Sequence, residues 1–152
     1  MIKESAIIGL YSLSLKEISD ERGSILHMLR SDDEDFTEFG ECYLSRLNCG
    51  SVKAWKWHSV QSQNLAVPVG RVLLVVFDDR IQSPTSGEVV EFEMGLPEAY
   101  FRVHIPPGLW YGLKSVGENP AIVVNCADKP HNQKEGKNLP FDDPYIPYQW
   151  SK

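Results

Sequence analysis

The sequence predicts an all-β sandwich or barrel, and three observations carry that prediction. Roughly ten short runs of strand-type residues recur at regular spacing. The 11 glycines and 10 prolines fall largely between those runs, where they punctuate turns. No region keeps a helical apolar period beyond a turn or two.

Taken in order, residues 6–10 (Ala-Ile-Ile-Gly-Leu) form the first apolar run and read as a strand. Residues 19–24 are polar and then glycine, which reads as a turn into a strand over 25–29. The run Asp32-Asp33-Glu34-Asp35 reads as a solvated loop. Residues 41–47 alternate in part, with Tyr43, Ser45 and Leu47 on one face. After the turn Asn48-Cys49-Gly50, residues 51–58 form a strand. The two-residue period puts Ala54, Lys56 and His58 on one face of it and Lys53, Trp55 and Trp57 on the other.

Residues 65–69 and 71–78 read as strands hinged at Pro68-Val69-Gly70, and Ser83-Pro84-Thr85-Ser86-Gly87 is a turn. Residues 88–93 and 100–105 are the next strands; Tyr100, Arg102 and His104 oppose Phe101, Val103 and Ile105. Pro106-Pro107-Gly108 turns the chain into a strand over 109–116, and Ala121 opens an apolar strand ending at Cys126. The tail from Asp128 is polar and proline-rich. With no linker or internal repeat, residues 1–152 read as one domain.

A chain of 152 residues buries most of its apolar surface without disulfides or metals, and its 42% hydrophobic and 24% charged residues are those of a folded protein. The formal net charge is −6 and no basic stripe exists, which argues against nucleic acid as a partner. A phosphate-bearing small molecule needs only one or two local cations and stays open. Cys42, Cys49 and Cys126 have no metal-binding spacing and read as reduced, partly buried thiols. The N-terminus lacks signal-peptide character, and the longest apolar run, 72–77, is too short for a membrane helix; the expectation is a cytoplasmic protein without a membrane partner.

Two stretches carry the candidate chemistry. Gly50-x5-Lys56-x-His58-x4-Gln63-x6-Gly70 resembles the first cupin motif, G-x5-H-x-H-x3-4-E-x6-G, and Pro106-x-Gly108-x2-Tyr111 resembles the second, P-x-G-x2-H. The resemblance implies a cupin-type double-stranded jelly roll with a short irregular C-terminal tail. Metal-binding cupins place imidazoles and a carboxylate where this chain has Lys56, His58, Gln63 and Tyr111. An ammonium repels a dication, and one imidazole with a neutral amide is a poor site, so no metal or other cofactor is expected.

Within the cupins, the chain is similar to the dTDP-4-dehydrorhamnose 3,5-epimerase family over nearly its whole length. Asp20-Glu21-Arg22-Gly23 is similar to the family's D-x-R-G, and residues 52–56 lie where the family reads R-G-L-H. Asp78-Asp79-Arg80 through Ser83-Pro84-Thr85-Ser86-Gly87 is similar to D-x-R-x2-S-P-T-x-G. Residues 105–113 are similar to I-P-x-G-x-A-H-G-F, and Asp143-Pro144-x-Ile146-x-Tyr148-x-Trp150 to D-P-x-I-x-I-x-W.

The resemblance implies epimerase or isomerase chemistry: proton removal beside the keto group of a nucleoside-diphospho 4-keto-6-deoxy sugar, and proton return on the opposite face. That requires a base, an acid and a cation or donor at the enolate oxygen. The family's base is a histidine oriented by the D-P aspartate, and its acid is a tyrosine on the late apolar strand. Here Lys56 holds the base position, Asn125 the place expected for the tyrosine and Tyr111 that of the second-motif histidine, while Asp143 is kept.

His58 is then the displaced base with Asp143, Tyr111 the candidate acid and Lys56 the enolate stabiliser. Plainer readings stand beside these: a structural His58, Lys56 ion-paired with Asp143, and Tyr111 as an aromatic wall. Arg22 and Lys53 would hold the diphosphate, with Gln63, Trp110 and Asn125 as further substrate contacts. His27, His104 and His131 read as structural. Three functions follow: an epimerase or isomerase of deoxysugar biosynthesis, a catalytically inactive sugar-nucleotide-binding or regulatory cupin, or a different reaction on the same substrate class, such as a keto-isomerisation, which also moves protons beside a carbonyl. The family also implies a homodimer that shares strands across its interface.

Overall fold

The computed structural model describes residues 1–150, and all regular structure among them is β. The strands are β1 (Ile2–Glu4), β2 (Tyr11–Ser14), β3 (Glu17–Asp20), β4 (Gly23–Leu26), β5 (Glu41–Leu47), β6 (Val52–His58), β7 (Gln63–Val69), β8 (Val72–Asp78), β9 (Val89–Met94), β10 (Phe101–Ile105), β11 (Leu109–Ser115), β12 (Ala121–Ala127) and β13 (Gly136–Asn138). A six-stranded sheet in the order β1-β2-β10-β7-β12-β5 faces a five-stranded sheet in the order β13-β6-β11-β8-β9. All pairings are antiparallel, as a jelly-roll sandwich requires. A separate hairpin, β3-β4, stands outside both sheets.

The apolar pattern explains the layering. β8 reads as a continuous apolar run because both its faces are covered. Val72, Leu74 and Val76 enter the core between the sheets, while Leu73, Val75 and Phe77 enter a second cluster on the outer face. The C-terminal tail forms the lid of that second cluster, packing Ile146, Tyr148 and Trp150 against Trp55 and Trp57. Gly112 is needed there: a Cβ on it would lie 2.5 Å from the Ala54 Cβ and 2.7 Å from the Trp150 ring.

Three sequence expectations change. Residues 6–10 are a turn between β1 and β2 rather than a strand; Ile7 and Leu10 still point into the core, and Gly9 takes φ 85° to close the turn. The strand expected over 25–29 ends at Leu26, where the hairpin ends. Cys42 and Cys49 are exposed rather than partly buried, although Cys42 and Cys126 are cross-strand neighbours with Sγ atoms 3.4 Å apart.

Candidate active site

Between the sheets, at the β5–β6 end, lies a cavity of about 810 Å³, a size suited to a small-molecule ligand. Glu41 and Tyr43 line it from β5, Lys56 and His58 from β6, and residues 131–133 and 136–138 close its rim. A narrow inner recess continues past Lys56 to Tyr111, Leu65 and Asn125. His58 and Lys56 share this face by strand parity, as their spacing predicts.

His58 is engaged by Glu135. Its Nδ1 lies 2.5 Å from Glu135 Oε1, with both side chains largely buried. The other carboxylate oxygen accepts the backbone N–H groups of Ser59 and Val60 at 2.9 and 3.1 Å. Burial opposes the Glu135 charge, but the hydrogen bonds from His58 and the backbone outweigh it and hold the carboxyl below its usual range. β13 fixes the arrangement by pairing Gly136 with His58 and Asn138 with Lys56. Sequence reasoning missed Glu135, because it comes from a polar tail segment whose strand exists only through its pairing with β6.

Lys56 lines both the cavity and the inner recess. Burial lowers its pKa, and the nearby Lys53 charge lowers it further. Lys53 was expected on the opposite face. The register between β11 and β6 runs Tyr111↔Lys56 and then Leu113↔Lys53, so β6 uses one residue more than β11. That bulge turns Lys53 inward beside Lys56, where its Nζ donates to Ser45 Oγ at 2.9 Å.

The wall opposite is an amide and hydroxyl network. Asn125 Nδ2 donates to Gln63 Oε1 at 2.5 Å and to Tyr43 Oη at 2.9 Å, and Gln63 Nε2 donates to Gln61 Oε1 at 2.7 Å. Gln63 and Asn125 are both buried. Tyr111 is 4% exposed, packs in the core between the sheets and stacks near His58 at 6.2 Å. Burial raises its pKa strongly, as suits an aromatic wall.

Three expected residues lie elsewhere. Asp143 does not face Lys56 or His58; it accepts the Tyr145 N–H in a turn of the tail. Trp110 neighbours Tyr111 on β11 and so points to the other face, where its Nε1 donates to Asp79 at 2.9 Å. Arg22 sits on the β3-β4 hairpin, 83% exposed and paired with Asp20, away from this cavity. His131, expected to be structural, lines the rim instead. Among the described residues no three His, Cys, Asp or Glu side chains converge as metal ligands would, and no helix is long and apolar enough to cross a membrane.

The family model of dTDP-4-dehydrorhamnose 3,5-epimerase matches residues 4–152. The spore coat polysaccharide biosynthesis protein SpsL of Bacillus subtilis is 29% identical over 147 residues, 95% of this chain and 97% of its own. The probable low-salt glycan biosynthesis epimerase Agl13 of Haloferax volcanii is 31% identical over 137 residues, 88% of this chain and 87% of its own. The crystal structure of a dTDP sugar isomerase from Desulfovibrio desulfuricans superposes with a TM-score of 0.94 at 43% identity, covering 99% of this chain and 94% of that one.

Proposed function

The chain belongs to the dTDP-4-dehydrorhamnose 3,5-epimerase family, and from that premise we propose that it epimerises a nucleoside-diphospho 4-keto-6-deoxy sugar through His58 as base. The observation that carries this reading is His58, engaged through Nδ1 by Glu135, lining the cavity beside Lys56. With Nδ1 engaged by Glu135, Nε2 is the nitrogen left for the substrate. The carboxylate orients the ring and stabilises the imidazolium formed when it takes a proton from carbon. The C–H electron pair moves into the enolate, whose charge settles on the keto oxygen. Lys56 holds that oxygen as a cation or hydrogen-bond donor. Asn125 reaches the sugar from the inner recess, while Gln63, buried outside both spaces, orients the Asn125 amide instead of touching substrate as the sequence suggested.

The measurement is incubation with dTDP-4-keto-6-deoxyglucose in deuterium oxide. The expected result is deuterium at a carbon beside the keto group together with a product of inverted configuration. Binding of the nucleotide without exchange would instead favour the non-catalytic sugar-nucleotide binder.

We further propose a homodimer. Ile18 and Ile25 are cross-strand partners on the outlying hairpin and are 44% and 64% exposed, an apolar pair that a second copy would cover. Arg22, out of reach of its own cavity, would then meet the diphosphate in the partner's. Light scattering is expected to return twice the chain mass; a value near 17.2 kDa would refute the dimer.

A further inference from the structure

Inverting a carbon centre requires proton removal on one face of the sugar and delivery to the other. His58, Lys56 and Tyr111 all belong to the β6–β11 wall, and Tyr111 stacks beside His58 with an interplanar angle of 22°. A donor on that wall returns the proton to the face it left. The second donor must therefore come from the facing sheet.

We infer that Tyr43, on β5 of the facing sheet, is the proton donor opposite His58. This rests on the epimerase reading above. Tyr43 is the direct cross-strand partner of Asn125, so the phenol stands one strand away from the place where the sequence resemblance expects a tyrosine. The Asn125 amide is oriented by its bonds to Gln63 and to the Asn64 backbone N–H. Its Nδ2 donates to Tyr43 Oη, so the phenol oxygen accepts there and its own proton is left for the cavity. Tyr43 lines both the outer cavity and the inner recess. Burial raises its pKa, which keeps the phenol protonated at neutral pH. Glu41, the acid on the same face, faces the Gln61 amide at 3.4 Å as an acceptor.

The step balances without a co-reactant. His58 Nε2 takes the carbon-bound proton, and the pair left behind forms the enolate. The enolate carbon then bonds to the Tyr43 proton on the opposite face, the carbonyl re-forms, and a phenolate remains. Proton exchange with water at the open rim returns His58 and Tyr43 to their starting states.

The test is Tyr43→Phe, assayed for epimerisation and for deuterium uptake with dTDP-4-keto-6-deoxyglucose. The variant keeps the ring and loses one hydrogen bond. Net epimerisation is expected to fall by about 10²-fold or more, while deuterium uptake with retained configuration continues through His58. Epimerisation within twofold of wild type would overturn the assignment, as would its loss in Tyr111→Phe or Glu41→Gln with Tyr43→Phe unaffected. Should Tyr43→Phe fail to fold, Asn125→Asp replaces the donor to Oη by an acceptor that captures the phenol proton. The same fall in the ratio of epimerisation to exchange supports the role, and an unchanged ratio overturns it. Wild-type protein that catalyses no exchange would overturn the epimerase reading itself, and the Tyr43 role with it.

Discussion

Replacing His58 by glutamine is expected to cut deuterium exchange into the 4-keto sugar by about 10²- to 10⁴-fold, the range for loss of a general base. Glutamine can still hydrogen-bond Glu135, so the β6–β13 junction should stay intact and nucleotide affinity should change little. Glu135→Gln should lose roughly 10²-fold or more, because the amide no longer stabilises the imidazolium or selects its tautomer. Asp143→Asn should leave exchange near the wild-type rate, since Asp143 caps a turn of the tail instead of reaching the ring. Wild-type exchange in His58→Gln would remove the base assignment. Loss in Asp143→Asn with Glu135→Gln unaffected would return the orienting role to the tail.

Replacing Lys56 by methionine keeps the stem and removes the charge, and is expected to lower kcat by about 10²- to 10³-fold, the usual cost of one enolate or oxyanion donor. The pH profile gives a second handle. If the ammonium is the active form, activity falls as pH rises through the Lys56 pKa. Burial and the Lys53 charge place that descending limb below the ordinary lysine range. Lys53→Gln removes the like charge, so the Lys56 pKa rises and the limb moves to higher pH. A limb that stays in place, or moves down, would show that Lys56 is not the group titrating.

Much of the fold was legible because it rests on local rules. The apolar run over 72–77 marked a strand buried on both faces, and the alternation in 41–47 put Tyr43, Ser45 and Leu47 on one face, as β5 has it. Turn glycines bounded the central strands; Gly50 and Gly70 take φ 72° and 79°. The parity of Lys56 and His58 followed from their spacing alone. Parity failed at Lys53, because a bulge is a property of two strands paired and leaves no mark in one strand's alternation. It also separated Trp110 from Tyr111, a division that the motif match hid.

The sequence alone therefore determined the sandwich, its family and the inward-facing pair Lys56 and His58, since residue period, turn chemistry and motif spacing are all local. Tertiary structure decided the partners: Glu135 for His58 in place of Asp143, Lys53 beside Lys56, and Tyr43 against Asn125 across β5 and β12. Each of these depends on which strands pair and in what register. Contacts between residues as distant as His58 and Glu135 arise only when the whole sheet closes, and no local pattern encodes them.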